Sequence, residues 1–195
     1  MLRDSHCKAL MVSAQYREMV RPFVDQLDDL VPGGKIGFDF EMEDFRGFAG
    51  WRDAFSDSPP NIEIKGNDDF NIIYSSGTTG VPKGCMLTHR FWFSLSASPI
   101  QLYDITADDV NLTAQPFYYI DPQWNSILCM MAGIPLVIMP RFSPSKFWQV
   151  VRDNNVTFFY VLGTMPLLLM KQKEDPELDK NHKVRRVICS GIIPQ

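Results

Sequence analysis

The second half of the chain alternates short apolar runs with helical patterns, and this rhythm limits the possible folds more than any other feature. The predicted strands are 111–115, 135–139, 157–161 and 186–189, and the predicted helices between them are 122–132, 144–154 and 165–173. Successive strands joined by helices pair in parallel, with the helices on the faces of the sheet. We therefore predict an α/β fold of parallel-sheet subdomains flanked by helices.

The first part of the chain extends this pattern. Strands are predicted at 8–12 and 35–40, with apolar residues at helical spacing over 16–30 between them. The polar stretch 41–66 predicts a helix and a surface connection, and 69–75 predicts a further strand. No internal repeat interrupts this order.

Three hydroxyl residues stand where helices are expected to begin. Thr88 precedes a helical pattern that reaches residue 103, and Ser143 and Thr164 precede two later helices. Side-chain oxygens at such positions accept hydrogen bonds from free backbone N–H groups of the first turn. We expect all three residues to act as N-caps.

The run 74–84 reads Y-S-S-G-T-T-G-V-P-K-G and directly follows the strand predicted at 69–75. Glycines allow close approach of the backbone, and free N–H and hydroxyl groups donate to phosphate oxygens. Lys83 adds a positive charge. The run differs from the P-loop pattern G-x-x-x-x-G-K-[ST], because Lys83 lies between Pro82 and Gly84. A loop that binds a polyphosphate is predicted here.

The run resembles the phosphate loop of adenylate-forming enzymes, the superfamily of acyl-CoA synthetases, luciferases and peptide-synthetase adenylation domains. All specified positions of that loop are met. The resemblance implies that Lys83 and Thr79 are catalytic. The implied nucleotide-binding residues are Ser75, Ser76, Gly77, Thr78, Thr79, Gly80, Lys83 and Gly191.

Other segments are similar to elements of the same superfamily. The segment 115–119 resembles an element that lines the acyl pocket, with Tyr119 where acyl-CoA synthetases usually have histidine. The segment 133–148 resembles the glycine, strand and F-S-P-x-x-F-W helix start of the family. The segment 190–194 resembles the S-G-G-A-P element that contacts adenine, although Ile192 and Ile193 replace its Gly-Ala pair.

The resemblance covers nearly the whole chain but only part of a family member. It implies that residues 1–195 are a partial AMP-binding domain, from the N-terminal domain of such an enzyme. The magnesium-binding glutamate, the ribose-binding aspartate and the C-terminal catalytic domain would then be absent from it. We expect no metal ligand in this chain.

The implied reaction has two steps and uses ATP, Mg²⁺ and coenzyme A. A small-molecule carboxylic acid attacks the α-phosphate of ATP, giving an acyl-adenylate and pyrophosphate. The thiol of coenzyme A then displaces AMP. The chain is thus expected to be an AMP-forming acid–thiol ligase of fatty acid metabolism, with the activity of this piece left open.

The segment after the strand predicted at 111–115 predicts the acyl pocket. Its candidate pocket residues are Tyr118, Tyr119, Asp121, Gln123 and Trp124. Aromatic rings beside a carboxylate are suited to quaternary ammonium groups. The pattern also resembles that of crotonobetaine/carnitine-CoA ligases. The alternative is that these aromatics pack in the core or line a fatty-acyl tunnel.

Two further functions remain open. Asp121 could bind the substrate amine in an amino-acid adenylation domain of a peptide synthetase. The chain could also be a non-catalytic nucleotide-binding fragment. Because missing sheet partners would leave apolar faces uncovered, we expect self-association.

Composition excludes several other classes. The net charge of −4 provides no basic stripe for nucleic acid. The four cysteines have neither the spacing of a zinc site nor that of a disulfide framework, so a cytoplasmic location is expected. The apolar stretches 127–139 and 158–170 are shorter than the ~20 residues of a membrane span.

Overall fold

The computed structural model of the chain describes residues 1–76, 80–177 and 179–191. The chain divides into two units, which are described one after the other. The first consists of Met1–Ile64 and Tyr74–Cys85, and the second of Lys65–Ile73 and Met86–Gln195.

The first unit contains a small parallel sheet in the order β1-β2-β3. Its strands are β1 (Leu10–Val12), β2 (Lys35–Gly37) and β3 (Arg46–Gly47), and its helices are α1 (Arg17–Val24) and α2 (Phe48–Arg52). A short 3₁₀ turn, Ala14–Tyr16, precedes α1. The buried side chains Val12, Val24, Leu27 and Phe45 form its core. The helix predicted over 16–30 ends six residues early, at Val24.

A two-stranded sheet is formed by segments on either side of the phosphate loop. It consists of β4 (Asp69–Ser75) and β5 (Lys83–Thr88). The sequence predicted β4 but missed β5, because Pro82 and Gly84 favour a turn and the run holds few strand-forming residues. Pairing with β4, a tertiary contact, makes this segment a strand.

Helix α3 (His89–Leu102) begins directly after β5. The Thr88 hydroxyl accepts a hydrogen bond of 3.2 Å from the backbone N–H of Phe91, so the predicted cap is confirmed. Ser143 and Thr164 are the residues that precede the two later helices, as predicted, but neither side chain makes a capping hydrogen bond. Thr164 has helical backbone angles rather than the extended ones of a cap, and the Ser143 hydroxyl lies 3.3 Å from that of Ser145 instead.

The second unit is built on a four-stranded parallel sheet in the order β7-β6-β8-β9. The strands are β6 (Asn111–Thr113), β7 (Leu136–Ile138), β8 (Phe158–Leu162) and β9 (Arg186–Ser190). The helices between them are α4 (Ile120–Ala132), α5 (Pro144–Asp153) and α6 (Met165–Met170). The predicted α/β fold with parallel strands and intervening helices is confirmed.

Neighbouring residues of β8 show that both faces of this sheet are covered. Phe158 packs with Trp92 of α3 and Leu128 of α4. Phe159 packs with Phe147 of α5, whose ring centroid lies 4.9 Å away. Because successive side chains of a strand point to opposite faces, the two phenylalanines belong to two separate cores. This explains the continuous apolar run of the strand.

The amino-terminal edge of the sheet is held by a buried carboxylate. Asp109 precedes β6 and accepts hydrogen bonds from Thr157, just before β8, and from the guanidinium of Arg185, just before β9. Its side chain is fully buried. The starts of three strands are therefore tied together, while the opposite edge of the sheet remains for other groups.

None of the helices in the described part of the chain is both long and apolar enough to cross a membrane.

Candidate functional site

Polar side chains meet at the carboxyl edge of the four-stranded sheet. Gln115, just after β6, donates a hydrogen bond of 2.9 Å to the backbone carbonyl of Tyr160 on β8. The Tyr160 hydroxyl lies 2.7 Å from that of Ser190, the last residue of β9. Ligands of parallel α/β sheets bind outside the carboxyl ends of the strands. This edge is the natural place for a ligand in the second unit.

The first turn of α4 places the Asp121 carboxylate and the Trp124 indole beside Tyr160. The Trp124 ring meets the Tyr160 ring edge to face, with centroids 5.6 Å apart. Burial raises the pKa of Asp121, although hydrogen bonds that its carboxylate accepts from Trp124 and Tyr160 act to lower that pKa. Burial and the Asp121 charge also raise the pKa of Tyr160. Asp121, Trp124 and Tyr160 therefore form one interacting cluster.

Two glycines end strands at this edge. Gly163 follows β8 with φ +57°, and Gly191 follows β9 with φ +67°. A Cβ on Gly191 would lie 3.8 Å from the backbone nitrogen of Gly163, which is ordinary contact. The left-handed backbone, rather than lack of space, therefore favours glycine at residue 191.

The described part of the phosphate loop is exposed. Ser75 ends β4, Ser76 follows it, and Lys83 begins β5, all three with exposed side chains. Gly80 has φ +79° with open space where a Cβ would be. The hydroxyls and the ammonium group are thus free to meet a solute. Three further predicted residues, Gly77, Thr78 and Thr79, lie outside the described residues, as do Ile192 and Ile193.

Tyr74 anchors the start of this loop within the first unit. Its hydroxyl donates a hydrogen bond of 2.6 Å to the carboxylate of Asp4, which raises the pKa of Tyr74. The aromatic residue of the motif therefore has a structural partner rather than an open face.

The other three predicted pocket residues are placed differently from Asp121 and Trp124. Tyr118 and Tyr119 pack on each other with ring centroids 4.4 Å apart and are both exposed. Gln123 uses both ends of its amide, accepting from Asn71 at 2.8 Å and donating to the Phe117 carbonyl at 2.8 Å.

Tyr160, Ser190 and Gln115 were not among the residues predicted for the site. A signal exists for Tyr160, since it is the one residue with a polar end in the run F-F-Y-V-L of β8. Ser190 was noted only as part of its motif. Their proximity follows from the pairing of β8 with β9, which no local pattern specifies.

Within residues 1–76, 80–177 and 179–191, no three His, Cys, Asp or Glu side chains are grouped as a metal site would require.

The sequence matches a family of known enzymes. Residues 1–193 match the family described as AMP-binding enzyme. The chain is 37% identical over 122 residues to long-chain fatty acid transport protein 5 of Homo sapiens, covering 62% of this chain and 17% of that protein. It is 34% identical over 157 residues to 4-coumarate–CoA ligase 5 of Oryza sativa subsp. japonica, covering 75% and 28%.

A third relative is long-chain-fatty-acid–CoA ligase FadD13 of Mycobacterium tuberculosis. The identity is 32% over 126 residues, covering 65% of this chain and 24% of that protein. The chain thus spans less than a third of the length of each of these three relatives.

Solved structures show the same fold. The inhibitor-bound N-terminal domain of FACL13 from Mycobacterium tuberculosis superposes with a TM-score of 0.78 at 25% identity, covering 98% of this chain and 46% of that one. ATP-bound MatB from Rhodopseudomonas palustris superposes with a TM-score of 0.77 at 22% identity, covering 96% and 36%.

Proposed function

The chain belongs to the AMP-binding enzyme family, and we propose that it takes part in ATP-dependent activation of a carboxylic acid to an acyl-adenylate, followed by transfer to coenzyme A. In the first step a carboxylate oxygen bonds to the α-phosphorus of ATP. The bond between the α- and β-phosphates breaks, and its electron pair leaves with pyrophosphate. In the second step the sulfur of coenzyme A bonds to the acyl carbon, and AMP leaves.

The observation that carries this proposal is the exposed donor set of the phosphate loop. The Ser75 and Ser76 hydroxyls and the Lys83 ammonium group are exposed on either side of Gly80, whose φ of +79° suits glycine. Hydroxyl donors and a mobile cation fit a polyphosphate, since the protein's task in such transfer is positioning and charge stabilisation.

Each loop residue has a part in this proposal. Lys83 offsets the charge that develops on departing pyrophosphate, a role helped by its exposed position. The hydroxyl and N–H groups over 75–80, including Gly77, Thr78 and Thr79, hold the β- and γ-phosphates. Gly191 approaches the adenine ring from the end of β9.

Mg²⁺ is the ion expected to accompany ATP in this chemistry. Since the described residues include no grouped set of metal-binding side chains, we assign no residue to the ion.

For the acid, we propose a molecule that carries a cationic group, such as a quaternary ammonium. The half-buried Asp121 accepts hydrogen bonds from Trp124 and Tyr160, and the rings of these two residues pack on each other. A carboxylate beside aromatic faces attracts a cation and repels a second carboxylate. Tyr118 and Tyr119, which pack together on the surface, would contribute to the entrance.

An α-amino acid is the second candidate, because Asp121 would equally bind an ammonium group. Plain fatty acids are the third, and the aromatic side chains would then serve only as apolar lining. These candidates differ in the charge of the group next to Asp121, so an acid panel separates them.

The test is ATP–pyrophosphate exchange by this chain with fatty, aromatic, amino and quaternary-ammonium acids. We expect exchange that depends on one class of acid and is lost in Lys83→Ala. Exchange with butyrate equal to that with a quaternary-ammonium acid of the same length would contradict the cationic substrate. Silence of a folded sample with every acid would leave the non-catalytic nucleotide-binding fragment as the better description, and retention of ATP in equilibrium dialysis would support it.

We also propose a cytoplasmic location and self-association. All four cysteines are free thiols, as expected in a reducing compartment.

Self-association is supported by the edges of the four-stranded sheet. The outer strands β7 and β9 expose Ile138 and Val187, each about half accessible to solvent. Light scattering across a concentration series tests self-association, and a constant monomer mass would contradict it.

A further inference from the structure

Three side-chain hydrogen bonds run in one direction through the second unit. The Trp92 indole N–H donates to the Asn71 amide oxygen at 2.9 Å. The Asn71 amide nitrogen donates to the Gln123 amide oxygen at 2.8 Å. The Gln123 amide nitrogen donates to the backbone carbonyl of Phe117 at 2.8 Å. We call these four residues the amide relay.

The amide relay joins parts of the chain that are far apart in sequence. Asn71 lies on β4, Trp92 on α3 and Gln123 on α4, and 52 residues separate Asn71 from Gln123. Each amide uses one oxygen and one nitrogen, so donors and acceptors match in only one orientation. The starting point is rigid, because Trp92 is 1% exposed in the core.

The end of the amide relay holds a segment that little else fixes. Residues 116–119 are all exposed, so burial contributes little to their placement. The backbone makes a local turn, with the Tyr119 N–H donating to the Pro116 carbonyl at 3.0 Å. A local turn sets the shape of the segment but does not attach it to α4. The bond from Gln123 to Phe117 supplies that attachment.

We propose that Asn71 and Gln123 are positioning residues for the acid substrate, which they serve by fixing the segment 117–119 at the pocket entrance. This inference rests on the proposed function, in which that segment borders the acid. Gln123 then acts through the Phe117 carbonyl, since both ends of its amide already have protein partners. Asn71 acts one step further away, through Gln123.

Two nearly isosteric variants break the amide relay at different points. Gln123→Met removes both bonds of the glutamine, and Asn71→Leu leaves Trp92 and Gln123 without their partners. Gln172→Met is the matched control, because it removes a bond of 2.9 Å that reaches only the Leu168 carbonyl on α6. Melting temperatures within about 3 °C of the parent establish that the variants fold.

The first readout needs no turnover. We expect amide hydrogen exchange at Tyr118 and Tyr119 to quicken about tenfold in Gln123→Met and in Asn71→Leu, and to remain unchanged in Gln172→Met. Unchanged exchange at both tyrosines would overturn the inference whatever the activity. An increase spread over the whole second unit would also overturn it, because the amide relay would then be only a general stabiliser.

The second readout separates the two substrates. In ATP–pyrophosphate exchange we expect the KM for the acid to rise about tenfold in each variant, with the KM for ATP within about twofold. The double variant should resemble either single one, since all members act in one series. Equal increases for acid and ATP would overturn the proposed role.

A third measurement asks whether the polar variant Gln123→Glu restores the parent's behaviour. Gln123→Glu keeps an oxygen for Asn71 but places a second acceptor against the Phe117 carbonyl. It should therefore behave like Gln123→Met despite its polarity, whereas a general need for a polar side chain predicts recovery of the parent's KM for the acid.

Failure of the proposed function has its own signature: the parent chain would show no acid-dependent ATP–pyrophosphate exchange at all. That result would overturn the substrate role of 117–119 together with the amide relay's part in it.

Discussion

The hydroxyl groups of Tyr160 and Ser190 lie 2.7 Å apart and join β8 to β9 beside the half-buried Asp121. The bond lies at the carboxyl edge of the sheet, one residue before Gly191. It therefore connects the cluster proposed for the acid with the residue proposed for adenine.

Tyr160→Phe removes this bond while keeping the ring that packs on Trp124. We expect a loss of about 1 kcal/mol in the free energy of unfolding and an increase of about fivefold in the Kd for ATP. Urea unfolding and equilibrium dialysis measure the two effects. Tyr16→Phe, an exposed tyrosine of the first unit, is the control. Identical ATP affinity in the two variants would remove Tyr160 from the nucleotide site.

Lys83→Ala tests the charge in the phosphate loop. We expect adenylation to slow about 100-fold, because the charge on the leaving pyrophosphate loses its partner in the transition state. Binding of the acid and stability should not change, since the Lys83 side chain is exposed. Lys146→Ala, an exposed lysine on α5, is the matched control. Single-turnover release of pyrophosphate at the parent's rate would contradict this role.

The raised pKa of Asp121 predicts a pH-dependent cost in stability. Since the folded protein holds this proton more tightly than the unfolded chain does, the contribution of Asp121 is present at low pH and lost as pH rises through the raised pKa. Asp121→Asn should therefore be more stable than the parent at pH 7 and equal to it near pH 3. Thermal unfolding at both pH values measures this, with the exposed Asp57→Asn as control.

The same substitution separates the substrate classes. If a cationic group binds beside Asp121, Asp121→Asn should lower the preference for a quaternary-ammonium acid over butyrate by about tenfold. Competition in ATP–pyrophosphate exchange gives that ratio. An unchanged ratio would assign Asp121 to structure alone.

Asp109→Asn tests the opposite edge of the sheet. Burial acts to raise the pKa of Asp109, but hydrogen bonds from Arg185, the Thr106 N–H and Thr157 outweigh it and hold that pKa below its usual value. Its stabilising contribution is thus present above about pH 4 and lost as pH falls through the lowered pKa. We expect Asp109→Asn to cost about 3 kcal/mol at pH 7.

The matched control for Asp109 is the exposed pair of Arg52 and Asp53, 2.8 Å apart. Asp53→Asn should leave the free energy of unfolding nearly unchanged, because solvent screens such pairs. An equal loss in the free energy of unfolding for the two variants would show that the buried pair of Asp109 and Arg185 stabilises the strand starts no more than an exposed ion pair would.

The amino-acid sequence by itself predicted the alternating strands and helices, the cap at Thr88 and the loop that follows β4. These features depend on side-chain periodicity and on residues with particular backbone preferences, which are local properties. It missed β5, because that segment is a strand only through its partner β4. It placed Ser143 and Thr164 correctly before α5 and α6, but neither side chain makes the capping hydrogen bond that was expected.

The candidate site was also only partly predictable from the sequence. Its motif residues can be read from the sequence, and their roles stay predictions. The tertiary structure decided which side chains meet: the strand order β7-β6-β8-β9 brings Tyr160 to Ser190, and packing of α4 brings Asp121 to Tyr160 and Gln123 to Asn71. Contacts between residues tens of positions apart arise from strand pairing and core packing, and no local pattern encodes either of them.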